Sequence, residues 1–193
     1  MHHVFVTEGL VLGKRSVGEA NTLVTILTPH MGLLRAKAAA TRKEESKLRY
    51  GLEPLNLGRF SFVQGKYEWK LTGVENTSHE LFPKERTARV AAGRIAKLLL
   101  RLIHGPEEGR ALFSTVTLGL SLLAKATSNA EAQSIECILV LRILSHLGYL
   151  PRTAALTPFV EGDFTSAELA MNAATSRAFL IRTINESLSQ TGL

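Results

Sequence analysis

The sequence is poor in the residues from which reactive centres are most often built. It has a single cysteine, Cys137, in 193 residues, so neither an internal disulfide nor a thiolate zinc site is open to it. Aspartate occurs once, at Asp163, which excludes sites that hold magnesium on several aspartates. The histidines show no HxxxH or HExxH spacing, and there is no GxSxG, GxxxxGKS or GxGxxG pattern. No stretch approaches the roughly 18 uninterrupted apolar residues of a membrane span. The start, MHHVFVTEG, lacks the basic region and apolar run of a signal peptide. Internal repeats and low-complexity tracts are also missing. These absences predict a cytoplasmic, non-enzymatic protein without metal, cofactor or membrane attachment.

What is present is a foldable chain with a positive surplus. Hydrophobic residues make up 45% and charged residues 21%, a balance that supports a packed core rather than disorder. The length accommodates two small domains. A net charge of +6 raises the local concentration of anions and points to a polyanion or an acidic peptide as partner. The surplus divides evenly, +3 before residue 81 and +3 after it.

Up to about residue 78 the pattern is that of strands. The runs 4–12, 21–28, 32–40, 52–63 and 66–75 are separated by Gly18, the Pro29-His30-Met31-Gly32 turn and Gly65. Five short strands in this space predict a small closed or partly open barrel. Beyond Pro83 the spacing becomes helical, with apolar residues from Val90 to Ile103 and from Leu112 to Leu123. Ser128-Asn129-Ala130-Glu131 is a capping pattern ahead of IECILVLRILSHLG, which Gly148 closes and Pro151 stops; Thr165-Ser166-Ala167-Glu168 repeats the cap before a last helix or helix pair. The expected fold class is α+β, a barrel over 1–80 followed by a helical domain over 81–193.

The residues suited to binding lie first in the barrel. The segment RAKAAATRKEESKLRY (35–50) sets six cations against two acids. Together with Lys14 and Arg15 it supplies Arg35, Lys37, Arg42, Lys43, Lys47 and Arg49 as candidate phosphate contacts. In KYEWK (66–70) two aromatics alternate with lysines, a combination that suits single-stranded nucleic acid because cations track phosphates while rings stack on bases. The same alternation would put Tyr67 and Trp69 on one side of a strand, facing the core. In the helical half, single arginines sit among apolar residues. Arg94, Arg101 and Arg142 either lie at the core's edge with their stems buried or take an anionic group of an acidic peptide. Cys137, on the most apolar helix, reads as a buried, inert thiol.

In order, TEGLVLGKRSVGEANTLVTILTPHMGLLRAKAAATRK, LEPLNLGRFSFVQGKYEWKLTGVE and LRILSHLGYLP resemble landmarks of the bacterial RecO family of recombination mediators. They are a T-E-G opening, G-E-A before an apolar strand, a basic A-R-K-like segment, L-E-P, and a helix ending L-G-Y-x-P. The resemblance implies an OB-fold N-terminal domain and an α-helical domain. It further implies binding of single- and double-stranded DNA, annealing of complementary strands, and binding of the acidic tail of single-stranded DNA-binding protein (SSB). Cooperation with RecR in loading RecA, without a nucleotide cofactor, and a nucleoid-associated location complete the picture. Arg94, Arg101 and Arg142 then become candidates for the SSB tail. A protein-interaction scaffold that binds no DNA is the alternative. One departure stands out, since PRTAALTPFVEGDF holds none of the four zinc-binding cysteines that many family members carry after L-G-Y-x-P, and the chain is shorter than usual.

Overall fold

The structure is a computed structural model that describes residues 3–39, 48–104 and 109–190, with the side chain of Arg49 excepted. The chain forms two compact units, one of Met1–Leu81 with Ile103–Phe113 and one of Phe82–Leu102 with Ser114–Leu193.

In the first unit, β1 (Val4–Val17), β2 (Asn21–Thr28), β3 (Gly32–Ala38), β4 (Leu57–Gln64) and β5 (Trp69–Ser78) close into a barrel of order β1-β2-β3-β5-β4. A one-turn helix, α1 (Leu48–Gly51), precedes β4. All neighbours are antiparallel except β3 and β5, which run parallel and close the barrel. This is an OB-fold. Alternating residues fill its interior: Val24 and Ile26 from β2, Leu34 and Ala36 from β3, Phe60 and Phe62 from β4, and Leu71 from β5. The two phenylalanines stack at 6.3 Å between centroids. Thr28 holds the β2–β3 turn, its Oγ1 accepting from the Met31 N–H and donating to the Gly32 carbonyl, each at 3.1 Å.

Several expected strand limits shift: β3 ends at Ala38 rather than 40, β4 at Gln64 rather than 63 and β5 at Ser78 rather than 75, and three larger changes have a local reason. The first strand runs on to Val17, because an irregularity between Val11 and Gly13 lets it bend from its pairing with β4 to its pairing with β2. Residues 52–56 are not strand. Pro54 has no N–H to give a ladder, Leu55 takes a positive φ of 68°, and the segment is tied to β1 by Leu55 N–H to Val11 O (2.8 Å) and Val11 N–H to Asn56 O (2.9 Å). The last strand begins at Trp69 rather than 66, since Gly65 and Glu68 close a turn through a 2.9 Å backbone hydrogen bond.

The second unit is helical, with α2 (Arg86–Leu102), α3 (Arg110–Lys125, which begins in the first unit), α4 (Asn129–His146), α5 (Thr157–Glu161), α6 (Ala167–Thr175) and α7 (Arg177–Gln190). The helix α4 is apolar on nearly every side and packs against α2, α5, α6 and α7, as its composition demands. Ser128 caps it by accepting from the Glu131 N–H, and Glu131 in turn accepts from the Thr127 N–H at 2.8 Å. At the other end Gly148 takes a φ of 76°, and the Tyr149 N–H reaches the Leu144 carbonyl at 2.8 Å, a Schellman closure. The cap of α6 is Ser166, one residue after the Thr165 of the expected pattern; Thr165 instead binds Asp163 Oδ1 through both its N–H and its hydroxyl.

Candidate nucleic-acid interface

The register of the barrel decides which cations share a surface. Residues directly opposite one another in neighbouring strands point to the same face. Arg15 pairs with Leu23, Leu23 with Lys37, and Lys37 with Lys70. Arg15, Lys37 and Lys70 therefore stand in one row on the outside of β1, β3 and β5, with Leu23 of β2 between the first two. Arg35, two residues before Lys37 and exposed, adds a cation to the same face. Like charges directly opposite each other are unfavourable. Lys37 and Lys70 are such a pair, partly relieved by Glu68, whose Oε1 lies 3.7 Å from the Lys37 ammonium. A second outer row, Glu8–Arg59–Glu75, alternates in sign instead. The two rows differ in what they offer a polyanion, and only the first repels itself in the absence of one.

Lys14 departs from this set. Adjacent residues of a strand face opposite ways, so Lys14 shares its face with Val24, not with Arg15. Its ammonium is held at 2.7 Å by Glu53. Arg42, Lys43 and Lys47, and the side chain of Arg49, lie outside the described residues. Lys70, one of the two lysines of KYEWK, is not among the eight cations named from the sequence as phosphate contacts. Its place in KYEWK is visible there, but the parallel register that sets it beside Lys37 is not.

The aromatics of KYEWK part company. Tyr67 lies in the β4–β5 turn and is 87% exposed, with the Lys66 ammonium 5.1 Å from its ring centroid. Trp69 is half-buried against the barrel core and meets the Phe5 ring edge-on at 5.3 Å. The expectation that both rings face the core thus fails for Tyr67, because the alternation rule applies only within a strand and 65–68 is a turn.

In the helical unit, Arg94 forms a two-pronged pair with Glu136, Nε to Oε1 and Nη2 to Oε2 each at 2.6 Å. These hydrogen bonds raise its pKa further. The guanidinium of Arg142 donates to the Phe159 carbonyl at 2.9 Å and to the Gly162 carbonyl, and lies 4.5 Å from the Phe164 ring centroid. Burial lowers its pKa, an effect opposed by Asp163. Both arginines thus have partners within the fold. Arg101 is exposed near the end of α2, one turn beyond the exposed Lys97. Cys137 is buried, and burial raises its thiol pKa. Among the described residues no cluster of His, Cys, Asp or Glu could hold a metal ion, and no helix is long and apolar enough to cross a membrane.

Residues 1–77 match the family described as Recombination protein O N terminal. The chain is 33% identical over 149 residues to the DNA repair protein RecO of Heliobacterium modesticaldum, an alignment covering 77% of this chain and 53% of the relative. It is 30% identical over 158 residues to that of Moorella thermoacetica (80% and 57%), and 28% over 151 residues to that of Dehalococcoides mccartyi (77% and 58%). The chain thus spans a little over half the length of these curated relatives. With its OB-fold barrel, the match over that barrel and the relatives aligned across three quarters of its length, the chain belongs to the RecO family.

Proposed function

We propose that this protein is a mediator of DNA repair and recombination that binds single- and double-stranded DNA through its phosphates and promotes annealing of complementary strands. The observation that carries this reading is the row Arg15–Lys37–Lys70 across the outer face of the barrel, in which two lysines stand directly opposite each other. A phosphate between such cations removes their repulsion and releases counterions. Contacts of this kind hold a strand without occupying its base edges, and free base edges are what annealing requires. The name of its relatives, DNA repair protein, supports the same biological setting.

In this reading the helical half takes the acidic C-terminal tail of SSB, with Arg101 as the first contact and Lys97 beside it. Arg94 and Arg142, engaged with Glu136 and with backbone carbonyls, would have to release those partners to join. RecR is the co-mediator for RecA loading, no nucleotide is consumed, and the protein works in the cytoplasm at the nucleoid. The barrel is the DNA-binding domain and the helices the partner-binding domain.

The test is the fluorescence anisotropy of labelled single-stranded and duplex oligonucleotides titrated with the protein at two salt concentrations. Binding of both that weakens steeply with salt is expected. An absence of binding at low salt would overturn the proposal in favour of a barrel that serves as a protein-interaction scaffold.

A further inference from the structure

Phosphate contacts explain binding to any strand, paired or not, but they give no role to the exposed ring of Tyr67 or to the Phe5–Trp69 pair near it. Among the described residues Tyr67 is the most exposed of the large apolar side chains, at 87%. A single exposed ring is unremarkable. Here it tops a turn whose other end leads directly into Trp69, and Trp69 meets Phe5, itself 41% exposed, at 5.3 Å. Phe5 and Trp69 share the inward-facing parity of Phe62, Leu71 and Ala36, yet both stay part-exposed, because they sit at the end of the barrel where the interior opens. Lysines frame the group: Lys66 lies over the Tyr67 ring, and Lys70 follows Trp69 on the outer face.

An exposed ring flanked by cations suits a flat, electron-bearing ligand joined to a phosphate, which is the chemistry of an unpaired nucleotide. A duplex keeps its base faces stacked on one another, so it has none to offer. We infer that Tyr67, with the Phe5–Trp69 pair at the rim beside it, is a base-stacking platform by which the barrel distinguishes single-stranded from duplex nucleic acid. The platform rests on the reading of the barrel as a nucleic-acid binder and adds to it the origin of strand selectivity. The phosphates of the bound strand run along the Arg15–Lys37–Lys70 row, and its bases turn toward the rim.

Trp69 is the only tryptophan of the chain, so its emission reports on the rim alone. The experiment titrates wild type, Tyr67→Ala and Tyr67→Phe with unlabelled oligo-dT, oligo-U and a duplex of equal length, following Trp69 emission, with anisotropy of labelled strands in parallel. Because Tyr67 lies on an exposed turn, neither substitution threatens the fold. Tyr67→Ala is expected to weaken single-strand binding about tenfold, within the range for loss of one stacked base, to leave duplex affinity and the salt slope unchanged, and to be rescued by Tyr67→Phe. Saturation with oligo-dT should quench Trp69. With oligo-dU added, which differs from oligo-U in its sugar alone, a weaker response to oligo-U than to oligo-dU would assign the platform to DNA, and an equal one to single strands of either sugar. Unchanged single-strand affinity in Tyr67→Ala, with Trp69 emission unmoved at saturation, would overturn the platform while leaving phosphate binding intact. Failure of wild type to bind any of these at low salt would overturn both.

Discussion

Arg142 shows how far one side chain's role depends on residues distant in sequence. Within ILVLRILSHL it reads equally as a snorkelling cation or as an anion receptor, since the helix says nothing of what lies beyond its surface. The fold brings two carbonyls and a ring to the guanidinium, which makes Arg142 a clamp on α5 and the turn after it. Arg142→Met keeps the apolar stem but leaves those carbonyls without their charged donor. It should cost about 2 kcal/mol, seen as a lower urea midpoint with an unchanged m-value, while oligonucleotide affinity stays as in wild type. The same guanidinium acts on His146, whose pKa is lowered first by burial and then by Arg142, and whose Nε2 lies 2.9 Å from the Thr115 hydroxyl. A lowered histidine pKa means that the unfolded chain takes up the proton first as pH falls. The His146 contribution is therefore complete above its unfolded pKa of about 6.5 and is lost progressively as pH falls below it, toward the lowered folded pKa. Urea unfolding of wild type and His146→Gln, at neutral pH and at pH values below about 6.5, should show a smaller acid-induced loss of stability in the variant. Asp163, whose pKa is lowered by hydrogen bonds from Thr165, titrates in a more acidic window and does not interfere.

Two glycines in the helices make opposite demands on the same substitution. A Cβ built at Gly93, in exposed mid-α2, meets nothing within 4 Å, whereas one at Gly119 in α3 would lie 2.6 Å from Cδ1 of the fully buried Leu139. Gly93→Ala should raise stability by about 0.5–1 kcal/mol, the ordinary cost of a helical glycine. Gly119→Ala gains the same propensity but drives its methyl into the buried Leu139 side chain, at a cost of about 1–3 kcal/mol, so thermal unfolding should show a net loss. Period alone cannot separate these two sites, because both fall inside good helical patterns. Elsewhere the pattern sufficed. Alternation in NTLVTILT marks β2 to the residue, and the caps at Ser128 and Gly148 bound α4. Where a local feature broke the period, the sequence misled. The irregularity near Gly13 hides the length of β1, Leu55 with its positive φ keeps 52–56 out of the sheet, and the turn at 65–68 puts Tyr67 in solvent. The candidate interface was legible as a set of cations but not as a surface. The row of Arg15, Lys37 and Lys70 depends on the parallel pairing of β3 with β5, a contact between segments with no sequence pattern in common, and the same register removes Lys14 from the set.

For the whole molecule the question is whether a strand feels the net charge of +6 or particular cations. A diffuse field steers encounters and alters association rates. Phosphates bound in place release counterions, which appear in the slope of log K against log salt, by about 0.7 per contact for single strands. Replacing Arg15, Lys37 and Lys70 together by alanine should therefore lower the slope by about 2. Lys14→Ala should leave it unchanged, because that ammonium is turned from the row and held by Glu53. Alanine at Arg42, Lys43, Lys47 and Arg49 should lower the slope as well, if the strand continues from the outer face of β3 into the basic segment that follows it. The control that decides the matter is matched in charge: alanine at Lys84, Lys97 and Lys125, three exposed lysines of the helical unit, removes as much positive charge as the barrel triple. If the slope falls equally in both triples, the barrel row has no special standing and binding follows net charge. If it falls only in the barrel triple, the register that aligns β1, β3 and β5 is what turns an evenly spread surplus into a track for a phosphate chain.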